Sequence, residues 1–149
     1  MRYGRQAAGL VALGLVGFVI DRGLKALALA GQTFGPADGG VRFELFPNPD
    51  IGFSLRFPAA ASLLLIPMAL MAFVWLGWRW WRRGDLVRSA ATMVIIMSAV
   101  SNYLDRLRHG YVVDYVSLGT WFPVFNLSDV VIVCGLVLMA VAAKRKLGS

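Results

Sequence analysis

Four long apolar stretches limit what this chain can become more than any other feature. They run from about Ala7 to Ala30, Pro58 to Trp78, Ser89 to Leu104 and Leu127 to Ala143. A helix crossing the roughly 30 Å hydrocarbon core of a bilayer needs about 20 mostly apolar residues. In lipid the backbone must satisfy its own hydrogen bonds, so each stretch is predicted to be a helix. Composition agrees. Of 149 residues, 58% are hydrophobic and 15% charged, and a soluble domain has no interior large enough for that much apolar surface. Disorder is excluded as well, since 12% of the chain is aromatic. The expectation is an all-α integral membrane protein. It is a four-transmembrane-helix bundle forming one domain over residues 1–149.

The first stretch follows Arg2 and Arg5 and ends at the small residues Ala28–Ala30, as a cleaved leader might. Asp21, Arg22 and Lys25 lie between its apolar run and that triplet, which separates a cleavage site from its hydrophobic region. A membrane span is the better reading.

Charge orients the bundle. With the N-terminus inside, nine basic residues are cytoplasmic: Arg2, Arg5, Arg79, Arg82, Arg83, Arg88, Lys144, Arg145 and Lys146. Only four, Arg42, Arg56, Arg106 and Arg108, are outside. That bias predicts both termini in the cytoplasm, with Trp75, Trp78, Trp80 and Trp81 as an inner aromatic belt. It also accounts for the net charge of +7 without nucleic acid. Two outer segments remain, about 31–57 and 105–126. Within them Val41–Phe46 and Tyr111–Val116 read as short strands, giving a small extramembrane β-structure on the outer side.

One cysteine, Cys134, cannot form an internal disulfide, and one histidine, His109, cannot build a zinc site. No metal and no cofactor is expected. Chemistry falls to carboxylates, amides and guanidiniums. Cys134 and the methionines Met68, Met71, Met93 and Met97 are expected to pack the bundle core.

Ionisable residues inside membrane spans are costly and usually functional. Here they gather at one height. Asp21 lies 14 residues beyond Ala7, about 21 Å up the first helix. Asn102 is at a similar height on the third, followed by Asp105 and Arg106. Asn126 and Asp129 open the fourth. Of the eight acidic residues, only Asp85 falls on the cytoplasmic side. Each group has a structural reading beside a chemical one. Asp21 and Lys25, four apart, fit an ion-pair clamp. Asn102, Asp105 and Arg106 share a helix face and fit interhelical hydrogen bonding or the holding of a substrate oxygen. Asp129 fits a helix N-terminus. Asp114, alone among Val112, Val113, Tyr115 and Val116, asks for a partner. A loop with Gly119 and Pro123 lets the chain return to Asp129. Two carboxylates brought close in a low-dielectric site share one proton, which supplies a base and an acid.

These residues resemble those of the bacterial lipoprotein signal peptidases, or signal peptidase II. The resemblance runs through Asp21 and Lys25, then Asn48 to Ser54, then Ser101-Asn102-Tyr103-Leu104-Asp105-Arg106 with Gly110, Val112 and Asp114, then Phe125-Asn126-Leu127-Ser128-Asp129. It implies an intramembrane aspartic endopeptidase of the bacterial inner membrane. Such enzymes cut prolipoproteins on the N-terminal side of a diacylglyceryl-modified cysteine. It implies Asp114 and Asp129 as catalytic residues and Asn48, Asn102, Arg106 and Asn126 as supporting or substrate-binding residues. Asp21, Lys25 and Asp105 fall in structural motif positions. The implied partners are lipid-modified prolipoproteins and membrane lipid. The chain itself is expected to be a monomer. The chain departs from the family pattern at Asp50, where Gly is usual, and at Ser128, where Ala is usual. Two other readings explain buried acids: a transporter or proton-relay subunit, whose sites lie nearer the midplane, and a non-catalytic assembly factor.

Overall fold

The computed structural model describes residues 2–36, 40–49 and 59–147. The order is α1 (Arg2–Leu29), β1 (Arg42–Asn48), α2 (Ala59–Arg82), α3 (Leu86–His109), β2 (Val112–Ser117) and α4 (Leu127–Leu147). The molecule is mostly helical, with one small sheet. Three of the described helices are long and apolar enough to cross a membrane, over Gly4–Leu29, Leu63–Arg82 and Leu86–His109. The fourth apolar helix, Leu127–Ala143, is shorter.

α3 is the hub, packing on α1, α2 and α4. Glycines let the backbones approach. A Cβ at Gly14 of α1 would meet Val94 Cγ2 at 2.7 Å, and one at Gly135 of α4 would meet Ile95 Cγ1 at 2.6 Å. Small residues serve membrane helices this way, because close van der Waals contact replaces the hydrophobic drive.

The polarity of the bundle is reversed relative to a soluble protein. Leu13, Val19, Leu64 and Val137 face outward, while Asp21, Lys25, Asp105 and Asn126 are fully buried. Met68, Met71 and Met93 are exposed too, as is Cys134. The expectation that they fill the core is corrected. Apolar side chains gain nothing by leaving lipid, so an apolar residue does not mark the inner face.

α3 also runs five residues beyond the Leu104 end expected from sequence, so the second outer segment does not start at 105. Asp105 and Arg106 are helical. Charge there does not end the helix, because Asp105 is buried against partners on α1. The stop is Gly110, whose φ of +81° favours a residue without a Cβ and whose N–H closes on Arg106 O.

β1 and β2 pair antiparallel, with Phe46 opposite Asp114 and Asn48 opposite Val112, and with a register shift between Phe43 and Phe46. Both strands start and end one or two residues later than expected. Val113 and Tyr115 of β2 pack with Ala28 of α1, and Leu24, Phe43 and Leu127 close around them. The sheet thereby caps the end of the bundle that holds the polar residues.

Candidate active site

Two connected layers of polar side chains lie beneath the sheet. The deeper layer centres on Lys25, one turn above Asp21 on α1. Its Nζ lies 3.1 Å from Asp21 Oδ2 and 2.7 Å from Asp105 Oδ2, and donates to Asn102 Oδ1 at 2.6 Å. Asp21 also accepts from Ser101 Oγ (2.7 Å), Ser128 Oγ (2.8 Å) and Tyr115 OH (2.9 Å). Arg22 pairs with the other oxygen of Asp105. Buried charges persist only when paired and hydrogen-bonded, and here every carboxylate meets that condition. The expected Asp21–Lys25 clamp is present, and it extends to all three neighbouring elements.

The upper layer holds Asp114 and Asp129. Asp114 accepts from Asn48 Nδ2 at 2.7 Å and from Asn126 Nδ2 at 2.6 Å. Asp129 accepts from Asn102 Nδ2 at 2.9 Å and from the Asn126 backbone N–H at 3.1 Å. Asn126 Oδ1 in turn accepts from Asp129 N at 3.0 Å. Asn126 and Asp129 are therefore a reciprocal cap on the first turn of α4. The same Asn126 amide bridges to the opposite carboxyl and to Asn102 Oδ1 at 3.2 Å.

Amide orientation follows from this network. Lys25 and Asn126 both donate to Asn102 Oδ1, so its NH₂ is left to face Asp129. The two aspartates are close enough that the charge of Asp129 acts on Asp114. Burial pushes Asp114 up to about 7, and that repulsion adds to it, while the Asn48 and Asn126 hydrogen bonds pull the other way. The guanidinium of Arg106 donates to Asn102 O at 3.3 Å and lies in the field of Asp129, Asp114 and Asp105.

Each sequence-predicted site residue thus falls in one cluster: Asp21, Lys25, Asn48, Asn102, Asp105, Arg106, Asp114, Asn126 and Asp129. Four more belong to it that the sequence reading did not select: Arg22, Ser101, Tyr115 and Ser128. Ser101 sits one turn before Asp105, so helical spacing is a signal that could have found it. Tyr115 OH both donates to Asp21 and accepts from Leu127 N at 2.9 Å, tying β2 to α1 and α4. Its burial raises the phenol well above its ordinary range. Ser128, a departure from the family pattern, gains a contact with Asp21 through its hydroxyl. Asp50 and residues 51–54 of the second motif lie outside the described residues.

Comparison with known proteins gives the family and the fold. The sequence profile of signal peptidase (SPase) II matches residues 13–144. A lipoprotein signal peptidase of Syntrophomonas wolfei is 31% identical over 127 residues, covering 83% of this chain and 84% of that protein. One of Brucella ovis is 33% identical over 135 residues, covering 81% and 80%. Two solved structures, both bacterial membrane enzymes obtained by the in meso method, share the fold. The 2.3 Å structure gives a TM-score of 0.75 at 18% identity, over 93% of this chain and 88% of the other. The 1.9 Å structure gives 0.72 at 18% identity, over 91% and 92%. A profile match over most of the chain and relatives above 30% identity converge: this chain belongs to the signal peptidase II family, the membrane proteases that remove signal peptides from lipoproteins.

Proposed function

We propose that the protein is an intramembrane aspartic endopeptidase that cuts prolipoproteins immediately before a diacylglyceryl-modified cysteine, with Asp114 and Asp129 as its dyad. The observation that carries this reading is a pair of carboxyls on different elements, Asp114 buried and Asp129 half-buried, each held by two amide or backbone N–H donors and joined by Asn126. Charge balance adds weight. The cluster has four carboxyls (Asp21, Asp105, Asp114, Asp129) and three cations (Arg22, Lys25, Arg106). One retained proton makes it neutral, and burial at Asp114 favours keeping it there.

In this mechanism the ionised member takes a proton from water, and the water attacks the scissile carbonyl. The protonated member stabilises the oxyanion and later serves the leaving amine. Titration belongs to the pair, so the roles of the two aspartates are roles of one unit. Asn48, Asn102 and Asn126 fix the carboxyl planes, and Arg106 offsets their charge. Lys25, Asp21 and Asp105 hold the helices that carry them. The chain's own residues supply an acid and a base, so the step needs neither metal nor organic cofactor.

In this reading the chain spans a bacterial inner membrane four times, the basic bias of the inner segments puts both termini in the cytoplasm, and the dyad lies near the outer face. The enzyme acts as a monomer, with lipid-modified prolipoprotein as its substrate. Mass spectrometry of a synthetic diacylglyceryl prolipoprotein after incubation with the purified enzyme tests the cleavage site. The expected product begins at the lipidated cysteine. Cleavage elsewhere, or equal cleavage of the unlipidated peptide, would contradict the assignment.

A further inference from the structure

The end of the bundle far from the site is built differently. α1 and α2 both pack on α3, and among the described residues they do not pack on each other. Between α1 and the first turns of α3, beside Trp81 of α2, opens a groove of about 540 Å³. Gly4, Ala8 and Ala12 of α1 hollow out one side, Leu86, Ala90 and Met93 of α3 line the other, and Trp81 of α2 joins them. Along α1 the groove extends from Gly4 to Leu15, a rise of about 16 Å. That is half the roughly 30 Å hydrocarbon core, the reach of an acyl chain from one leaflet.

Arginines neighbour its lining in sequence. Arg5 follows Gly4, and Arg82 and Arg83 follow Trp81; all three are exposed. Arg79 and Arg82 lie over the Trp75 and Trp78 rings, each 5.5 Å from the centroid. The one acidic residue at this end, Asp85, is taken up by Arg88 Nε at 2.6 Å. Charge therefore selects the occupant. A signal peptide would bring a basic leading region to these guanidiniums, and a second copy would bring the same guanidiniums. An anionic headgroup is complementary, and clustered arginines at a helix end recognise such lipids.

We propose that the groove between α1 and α3, beside Trp81, holds an acyl chain of an anionic phospholipid whose phosphate rests on Arg5, Arg82 and Arg83. The test is the unfolding midpoint of the purified full chain in detergent with added phosphatidylglycerol or phosphatidylcholine of identical acyl chains. Phosphatidylglycerol is expected to raise the midpoint by about 3 °C or more over phosphatidylcholine. Arg82→Gln with Arg83→Gln should abolish that difference, and so, separately, should Ala8→Phe, which fills the groove but keeps the charge. Both should still cleave lipopeptide in detergent. If one variant fails to fold, the other decides, and the wild-type comparison stands without either. Equal stabilisation by the two lipids overturns the proposal. So does a preference surviving both variants, or a dimer cross-linked through Ala8→Cys, which would seat a second copy in the groove.

Discussion

Asp114 sits among apolar neighbours in β2, and this gives it a pH signature. Its carboxyl is raised to about 7 from 3.8 in the open chain. Between those values the folded protein binds more protons than the unfolded one, so this group's contribution to stability is full below about 4 and is lost as pH rises through about 7. Other ionisable groups also contribute to the pH dependence, so the readout is a difference. Asp114→Asn should flatten a fall in unfolding midpoint between pH 4 and 7, and a wild-type-like profile in the variant would contradict the assignment. Cleavage should have a basic limb near pH 7, as the shared proton leaves. Ser128 gives a second residue-scale prediction. Ser128→Ala strips a donor from a buried carboxylate and should cost about 1–3 kcal/mol, read from chemical unfolding. Tyr115→Phe should cost at least as much, because it also leaves the Leu127 N–H without its acceptor. Sequence showed the height of Asp21, Asn102 and Asp129 along their helices, which follows from rise per residue. It did not show rotation about each axis. That is why Arg22, Ser101 and the phenol of Tyr115 were not selected, although each reaches the same carboxylates.

At the scale of elements, apolar runs marked all four helices, but charge misled at their ends. Asp105 and Arg106 resembled a loop because ionisable groups are costly in a span; Lys25 and Arg22 on α1 remove that cost, and the helix continues to Gly110. Periodicity was silent about packing, since lipid and core are equally apolar, and the exposed Met68 and Met71 illustrate the point. What positions α4 against α3 is a missing side chain. Gly135→Val would place its Cβ 2.6 Å from Ile95 Cγ1, and a β-branched neighbour has little rotamer freedom to retreat. A cost of about 1–3 kcal/mol is expected. Gly9→Val, with nothing within 4 Å, should be nearly neutral in the same thermal-unfolding measurement. Equal losses would mean that helix propensity, not close approach, governs both positions.

For the whole molecule, an inverted protein emerges: apolar outside, charged within, and capped by two strands. The sheet's place above the bundle brings Asn48 and Asp114 over the first turn of α4, so no single motif contains the site. Family motifs named its members, and three-dimensional pairing explains them, including why a serine suits position 128. The central claim is that Asp114 and Asp129 act as one unit on the scissile bond. Cleavage of a synthetic diacylglyceryl prolipoprotein by wild type, Asp114→Asn and Asp129→Asn, side by side and with folding checked by cooperative unfolding, tests it most directly. Both variants should be folded and slower by about 100-fold or more. Near-wild-type turnover in either folded variant would contradict the dyad.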